Sequence, residues 1–325
     1  MLKVLLVLIG LCALPVVTML LLKFADKRVT FGAGYVSGVI VNLTLFSLCV
    51  RRMAENMANP GLAPVKAVLG MICGEMVIIL ILAVVRCIKM KSRTGLRSLF
   101  LQEEGFRQPF RGKEAVGIAA AGALWLSGAF SYLHYVPDGA VTMMADINRL
   151  DFFGMTNPDI MVMLGYYLKK LFGISQADAV CIVIPLSLYA AFVVLMWETA
   201  GALFEGGRSK RVLCFLAEAV LTIAGDCMYT QSSLVLHGLN HMENAMLALC
   251  VPFAFAIGLR FYHSEGKTGK ERLMMPGYWI SFAVCIISAC LLEQRAFALV
   301  GLNAIIFGLL FIGRRYLPWL QSSKL

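Results

Sequence analysis

Four aspartates, Asp138, Asp146, Asp151 and Asp159, arrive within about two dozen residues of an otherwise apolar chain. A carboxylate within hydrogen-bond reach of a hydroxyl can take its proton. Gathered acids after a hydrophobic run therefore mark a place for chemistry. Asp138 also has a plainer reading, because Pro137-Asp138-Gly139 is a turn sequence in which Asp bonds locally to its own backbone. A second polar stretch, TQSSLVLHGLNHMEN at 230–244, carries His237, His241 and Glu243. Histidines four apart suit one helical face and a divalent metal. Gly238 and Asn240 weaken that helix, and a polar rim is the bland alternative. No other cofactor is indicated. Further acids sit inside apolar runs: Glu75, Glu198, Glu218 and Asp226. An ionisable group in hydrocarbon faces a partner or a cavity, and Asp226, near a span's end, can share a cavity with Asp138.

The elements that must position these residues are helices in a membrane. The 325 residues are 60% hydrophobic and 15% charged, whereas soluble domains are about 45–50% apolar and about 25% charged. A hydrocarbon core about 30 Å thick needs about 20 apolar residues per helix, and several such runs are present. The fold class is all-α, a polytopic integral membrane protein. Nine spans are expected, at roughly 4–22, 30–50, 64–87, 114–135, 179–203, 212–229, 244–262, 277–292 and 296–313. Glu293-Gln294-Arg295 separates the last two, as a tight re-entry or as a break in one long helix. The first run has too long an apolar core for a signal peptide and no clear cleavage site. Residues 1–113 form three spans and a basic loop; residues 114–325 form six spans with the polar loops.

Lysine and arginine set the orientation. The 86–113 loop holds Arg86, Lys89, Lys91, Arg93, Arg97, Arg107, Arg111 and Lys113, which makes it cytoplasmic. Arg208, Lys210 and Arg211, then Lys267, Lys270 and Arg272, alternate onto the same side. The N-terminus is then outside and the C-terminus inside the cytoplasmic membrane; Arg51 and Arg52 fall on the other side against the rule. The net charge of +10 reflects this bias and points to anionic headgroups of the bilayer rather than nucleic acid. The ten cysteines lie in or beside spans without metal spacing, as small packing residues, and no structural disulfide is expected.

The acids therefore lie outside, in a long loop at about 137–178. Its first half reads as irregular and acidic. Its second half, PDIMVMLGYYLKKLFG, repeats Ile160, Met161, Leu164, Tyr167, Leu168 and Leu171 at helical spacing with Lys169 and Lys170 opposite. This suits an amphipathic helix in the membrane interface, or one packed on other loops. Asn157 is the expected cap, Pro158 the early helical proline, and Gly173 the stop.

The order Tyr135-Val136-Pro137-Asp138-Gly139, Asn157-Pro158, Tyr166-Tyr167, Phe172-Gly173-Ile174 and Ile184-Pro185 resembles the polytopic glycosyltransferases of the GT-C superfamily. It is closer to a bacterial branch in which extra spans precede the acidic loop. His241-Met242-Glu243-Asn244-Ala245 followed by Pro252 extends the resemblance, which covers about residues 114–262. It implies transfer of a sugar from a polyprenyl-phosphate donor to an envelope glycan, lipid or protein on the outer face. Asp138 would be the general base or hold a metal, with Asp146 the second candidate. Arg149, Lys169, Lys170, His237 and His241 would supply charge or dipoles to the phosphate leaving group, with Glu243 and Asp226 at the same site. The interfacial helix would shape the slot for the polyprenyl chain. The chain departs from the family in having Gly139 where a second acid often follows the first. A non-catalytic scaffold or carrier of an envelope assembly system is the alternative; a transporter would more often show two related halves, which are not seen, and no Walker motif or nucleophile elbow is present.

Overall fold

The structure, a computed structural model, describes residues 2–25, 29–54, 112–134, 136–137, 139–152, 159–204, 207–224, 235–263 and 276–316. The expected third span with Glu75, nearly all of the basic 86–113 loop, and Asp138, Asn157, Pro158 and Asp226 lie outside the described residues. Every described element is helical. They are α1 (Leu2–Ala25), α2 (Phe31–Ala54), α3 (Lys113–His134), α4 (Ala140–Phe152), α5 (Ile160–Phe172), a π-helical turn (Asp178–Val183) running into α6 (Ile184–Leu203), α7 (Arg208–Ala224), α8 (Met242–His263), α9 (Pro276–Leu292) and α10 (Gln294–Tyr316).

Among the described residues, five helical stretches are long and apolar enough to cross a membrane: Leu2–Leu20, Phe31–Cys49, Lys113–His134, Asp178–Leu203 and Met242–His263. Gly277–Leu292 and Gln294–Leu310 are shorter apolar helices. Large apolar side chains stand exposed on the perimeter, among them Leu6 and Ile9 on α1, Leu126 and Phe130 on α3, and Ile305 and Leu309 on α10. Such faces are stable in lipid and would be a liability in water.

Two poles organise the bundle. At the basic pole, Arg208 pairs with Glu114 at 3.3 Å and Tyr278 meets Thr30. At the opposite, loop pole lie α4, α5 and the 235–241 segment. The last two helices settle their own connection. Cys285 on α9 donates to the Cys250 carbonyl on α8, and Phe261 packs on Trp279, so α9 runs antiparallel to α8. Asn303 on α10 donates to the Val251 carbonyl, and Arg295 reaches Glu243, so α10 runs parallel to α8. The chain therefore reverses at Glu293, as the polar knot suggested.

The central helix α2 lies against α1, α6 and α9. Its polar residues solve their burial by pairing: Ser37 Oγ donates to Ser281 Oγ at 2.9 Å and Thr44 Oγ1 to Ser288 Oγ at 2.7 Å. Seven residues separate the two members on each helix, which fits α2 and α9 running in the same direction along one seam. Against α1 the contact is closer. A Cβ at Gly38 would stand 2.9 Å from Pro15 Cα and closer still to the Pro15 carbonyl oxygen. Only glycine fits at that crossing. Gly38→Ala should destabilise the bundle by about 1–3 kcal/mol, the cost of overpacking a fitted interior, and unfolding in mixed detergent measures it. A neutral result would mean that α1 moves aside freely.

Two local expectations change. Residues 140–152, read from the sequence as irregular, form α4. Its buried stripe is Ala140, Met143, Ile147 and Leu150, at the spacing of one helical face; the polar side chains between them hide that stripe in the sequence. The cap of α5 is Asp159, not Asn157: its carboxylate accepts from the Met161 amide at 2.7 Å. Gly173 ends α5 as expected, in the left-handed region at φ 60°. The helix buries residues on several sides, from Ile160 to Met163 and from Gly165 to Leu168, and touches α4, α2 and the π-helical turn.

Candidate functional site

The loop pole brings together residues from α3, α4, α8 and α10. An aromatic group fixes the end of α3. Trp125 packs edge-on to Tyr189 and Phe192 and tilts on Phe215, while the Tyr189 hydroxyl donates to the Trp125 carbonyl at 2.9 Å. Two turns further on, the Tyr132 hydroxyl donates to the carbonyl of Val235. This bond ties α3 to the 235–241 segment across the bundle.

A tight turn follows. Ala140 N–H donates to the Pro137 carbonyl at 3.1 Å and Met143 N–H to the Gly139 carbonyl at 3.0 Å, which starts α4. Gly139 has φ +71°, a conformation that costs an L-residue about 1–2 kcal/mol. The turn also sits directly on a histidine: a Cβ at Gly139 would stand 2.5 Å from His241 Nε2 and 2.6 Å from His241 Cε1. Asp138, which precedes Gly139 in the sequence, lies outside the described residues. Gly139→Ala should impair the site through both strain and collision. His241→Ala in the same chain should restore part of the loss by removing the collision; limited proteolysis of the 135–159 connection reads both. No change in proteolysis on Gly139→Ala would contradict the packing of the turn on His241.

His241 is itself held. Its N–H donates to the Gly238 carbonyl at 3.1 Å, and its own carbonyl accepts from Ala245 N–H at 3.0 Å as α8 begins. The Asn244 amide donates to the same Gly238 carbonyl at 3.1 Å, and the Asn240 amide reaches Met143 Sδ at 3.5 Å. These bonds form a turn at 238–241 that seats α4. They also break the helical spacing expected for His237 and His241. Residues 235–237 are helical, the helix stops at Gly238, and α8 starts at Met242. The two imidazoles therefore do not share one helical face. Among the described residues no three His, Cys, Asp or Glu side chains come together as a metal site, and the Glu243 carboxylate is paired with Arg295.

Arg295 is the member that sequence reasoning missed. It was legible only as part of the Glu293-Gln294-Arg295 break. In the structure it pairs with Glu243 and places a guanidinium two residues along α8 from His241. Its signal was its place in that polar break between two apolar runs.

The other expected site residues are placed differently. Asp146 and Arg149 pair with each other on the solvent side of α4, Nη1 to Oδ1 at 3.4 Å, with Arg149 68% exposed. Such an i,i+3 pair contributes about 0.3–0.5 kcal/mol. Lys169 donates to Gln176 Oε1 at 3.3 Å and Lys170 stands 5.6 Å over the Tyr166 ring. Both are in the last turn of α5, where cations complement the helix dipole. His134 holds its own helix, with Nδ1 3.1 Å from the Phe130 carbonyl.

A second charged cluster lies at the basic pole. Glu198, in the last turns of α6, has 3% of its side chain exposed and receives Arg260 of α8 through Nε at 2.7 Å and Nη2 at 2.6 Å. The same guanidinium stands 5.7 Å from the Tyr278 ring of α9, and Tyr278 accepts from Thr30 N–H at 3.3 Å. The other carboxylate oxygen faces the first turn of α2 at Gly32, where free amides favour negative charge. On the far side of α6, Arg211 stacks 4.0 Å over Trp197 and donates to its carbonyl at 3.2 Å. Four helices thus converge on one buried carboxylate, an arrangement that fixes helix positions.

No protein-family model, curated protein or solved structure matches the chain.

Proposed function

We propose that the chain is a nine-span protein of the cytoplasmic membrane, N-terminus outside and C-terminus inside, that moves a sugar from a polyprenyl-phosphate donor to an envelope glycan, lipid or protein. The loop pole is then the outer face. The observation that supports this most is the seating of Gly139 on His241. It brings Gly139, in the stretch that follows α3, against the polar turn before α8, and the resemblance to GT-C glycosyltransferases draws on both stretches.

In this mechanism the acceptor hydroxyl gives its proton to the Asp138 carboxylate as its oxygen attacks the anomeric carbon. The bond from that carbon to the phosphate oxygen breaks, and polyprenyl phosphate leaves with the electron pair. His241 and Arg295, at the same pole, stabilise the charge on that leaving oxygen. Glu243 holds Arg295 in place. The chain of the carrier lies beside α5, between the bundle and the outer loop. Proteoliposomes of the full chain, given radiolabelled hexose on polyprenyl phosphate, test the reading. Release of polyprenyl phosphate dependent on the protein supports it; an intact donor with every acceptor class tried, hydroxylated glycans, lipids and peptides, contradicts it and leaves a scaffold or carrier.

A further inference from the structure

A cavity of about 90 Å³ lies between α1, α2 and α6, roofed by Leu164 of α5. Its wall is almost wholly apolar, with Leu11, Leu14, Val39, Leu43, Phe46 and Leu188 among its lining. It adjoins the Gly38–Pro15 crossing, and Pro15 is part of its lining. On the α6 side it meets Ile184, the residue that follows the π-helical turn. Turns of this kind recur at functional sites.

One group in the wall does not belong in an apolar cavity. Asn42 is 8% exposed, lines the cavity, and among the described residues neither its Oδ1 nor its Nδ2 has a hydrogen-bond partner. It is seven residues, or about 10 Å, from the loop-pole end of the apolar stretch at Cys49. Leaving a buried donor and a buried acceptor both unmade is costly. The other polar groups in the wall do not relieve it. The Ser187 hydroxyl donates to the Ile184 carbonyl at 2.7 Å, and the Tyr35 hydroxyl has Cys12 as its side-chain partner.

We propose that this cavity binds the head of an un-ionised fatty acid, held by the Asn42 side chain. The chemistry follows from the two orphaned atoms. A carboxylic acid offers a planar edge with one acceptor and one donor: its C=O accepts from Nδ2 and its O–H donates to Oδ1, closing a ring of two hydrogen bonds. A carboxylate has no donor for Oδ1 and resists transfer into so apolar a wall. An ester has no donor either. The volume takes the carboxyl group and a few methylenes, and the rest of the chain leaves through the open side. This site is separate from the loop-pole turn, and the inference does not depend on glycosyl transfer.

The pH dependence of binding belongs to the ligand. The titratable groups near Asn42 are the Tyr35 phenol on α2, the Cys12 thiol on α1 and, beyond Phe46, the Tyr167 phenol on α5 with Cys49 on α2. The lining from α6 and α5 holds no acid or base. Burial pushes the Tyr167 phenol up to about 12, so it stays protonated throughout the assay. A simple carboxyl titrates near 4.3, so above that value the un-ionised fraction falls about tenfold per pH unit.

The test is saturable binding of radiolabelled decanoic acid to the full chain in lipid nanodiscs, with empty nanodiscs subtracted. Binding should weaken at least tenfold from pH 5 to pH 7. Decanamide, which presents the same edge at every pH, should bind equally at both. Methyl decanoate should bind at least tenfold more weakly than decanoic acid at pH 5. Asn42→Leu, which fills the space with an apolar group, should lose at least tenfold for the acid and the amide alike. Should that variant fold poorly, the comparison of acid, amide and ester on the wild type still decides. Equal binding of the ester, unchanged binding in Asn42→Leu, or no saturable binding of decanoic acid at pH 5 overturns the proposal; the last result would leave water as the partner of Asn42.

Discussion

Arg260→Met should cost about 3–5 kcal/mol of stability, because it strands Glu198 as a buried charge without its partner. The size of the effect follows from burial: Glu198 has 3% and Arg260 15% of the side chain exposed, and both guanidinium contacts are shorter than 3 Å. Water does not replace the lost bonds there. Glu198→Leu should cost nearly as much, since Arg260 is then left against the Tyr278 ring with no anion. The double variant Glu198→Leu/Arg260→Met should recover most of the loss, because a well-packed apolar pair replaces a buried ion pair at little or no cost. A double-mutant cycle on equilibrium unfolding in mixed detergent reads the coupling, expected to exceed about 2 kcal/mol. Two neutral single variants would show that the charges are solvated and that α2, α6, α8 and α9 are held by packing alone.

Asp138→Asn should lower glycosyl transfer about 10²–10⁴-fold, the range for removing a general base, while leaving unfolding unchanged. The change keeps size and turn-forming ability, since Asn and Asp both bond locally to the backbone. A purely structural aspartate would therefore tolerate it. Asp146→Asn should change the rate by less than about threefold, because Asp146 is committed to Arg149 on the solvent side of α4, a pair of small worth. The contrast between the two variants discriminates better than either alone. Equal loss in both would move the base to α4; no loss in either would favour a scaffold or carrier.

The helices that cross the bundle were legible because hydropathy and length report burial in lipid directly. Leu2–Leu20, Asp178–Leu203 and Met242–His263 are long and apolar, and each falls on an expected span. The reversal at Glu293 was legible as a polar interruption. α4 was not: Thr142, Asp146, Asn148 and Arg149 interrupt its apolar residues, and its narrow buried stripe becomes meaningful only once Gly139 fixes where the helix starts. The histidine spacing misled for a related reason. A separation of four suits a metal only on an unbroken helix, and Gly238 breaks this one. Glu243 and Arg295 are 52 residues apart and Glu198 and Arg260 are 62 apart. No local pattern links residues at such distances; only the packing of α8 on α10 and on α6 does. Asn42 is the hardest case, because a lone amide in an apolar run reads like any buried polar residue until its missing partners are seen.

Native mass spectrometry of the full chain, gently extracted from its own membrane, tests the central claim most directly. A bound polyprenyl phosphate or glycosylated polyprenyl phosphate is the predicted result, with the sugar-loaded form accumulating on Asp138→Asn and not on Asp146→Asn. Ordinary phospholipids alone, the same on the wild type and both variants, would contradict it.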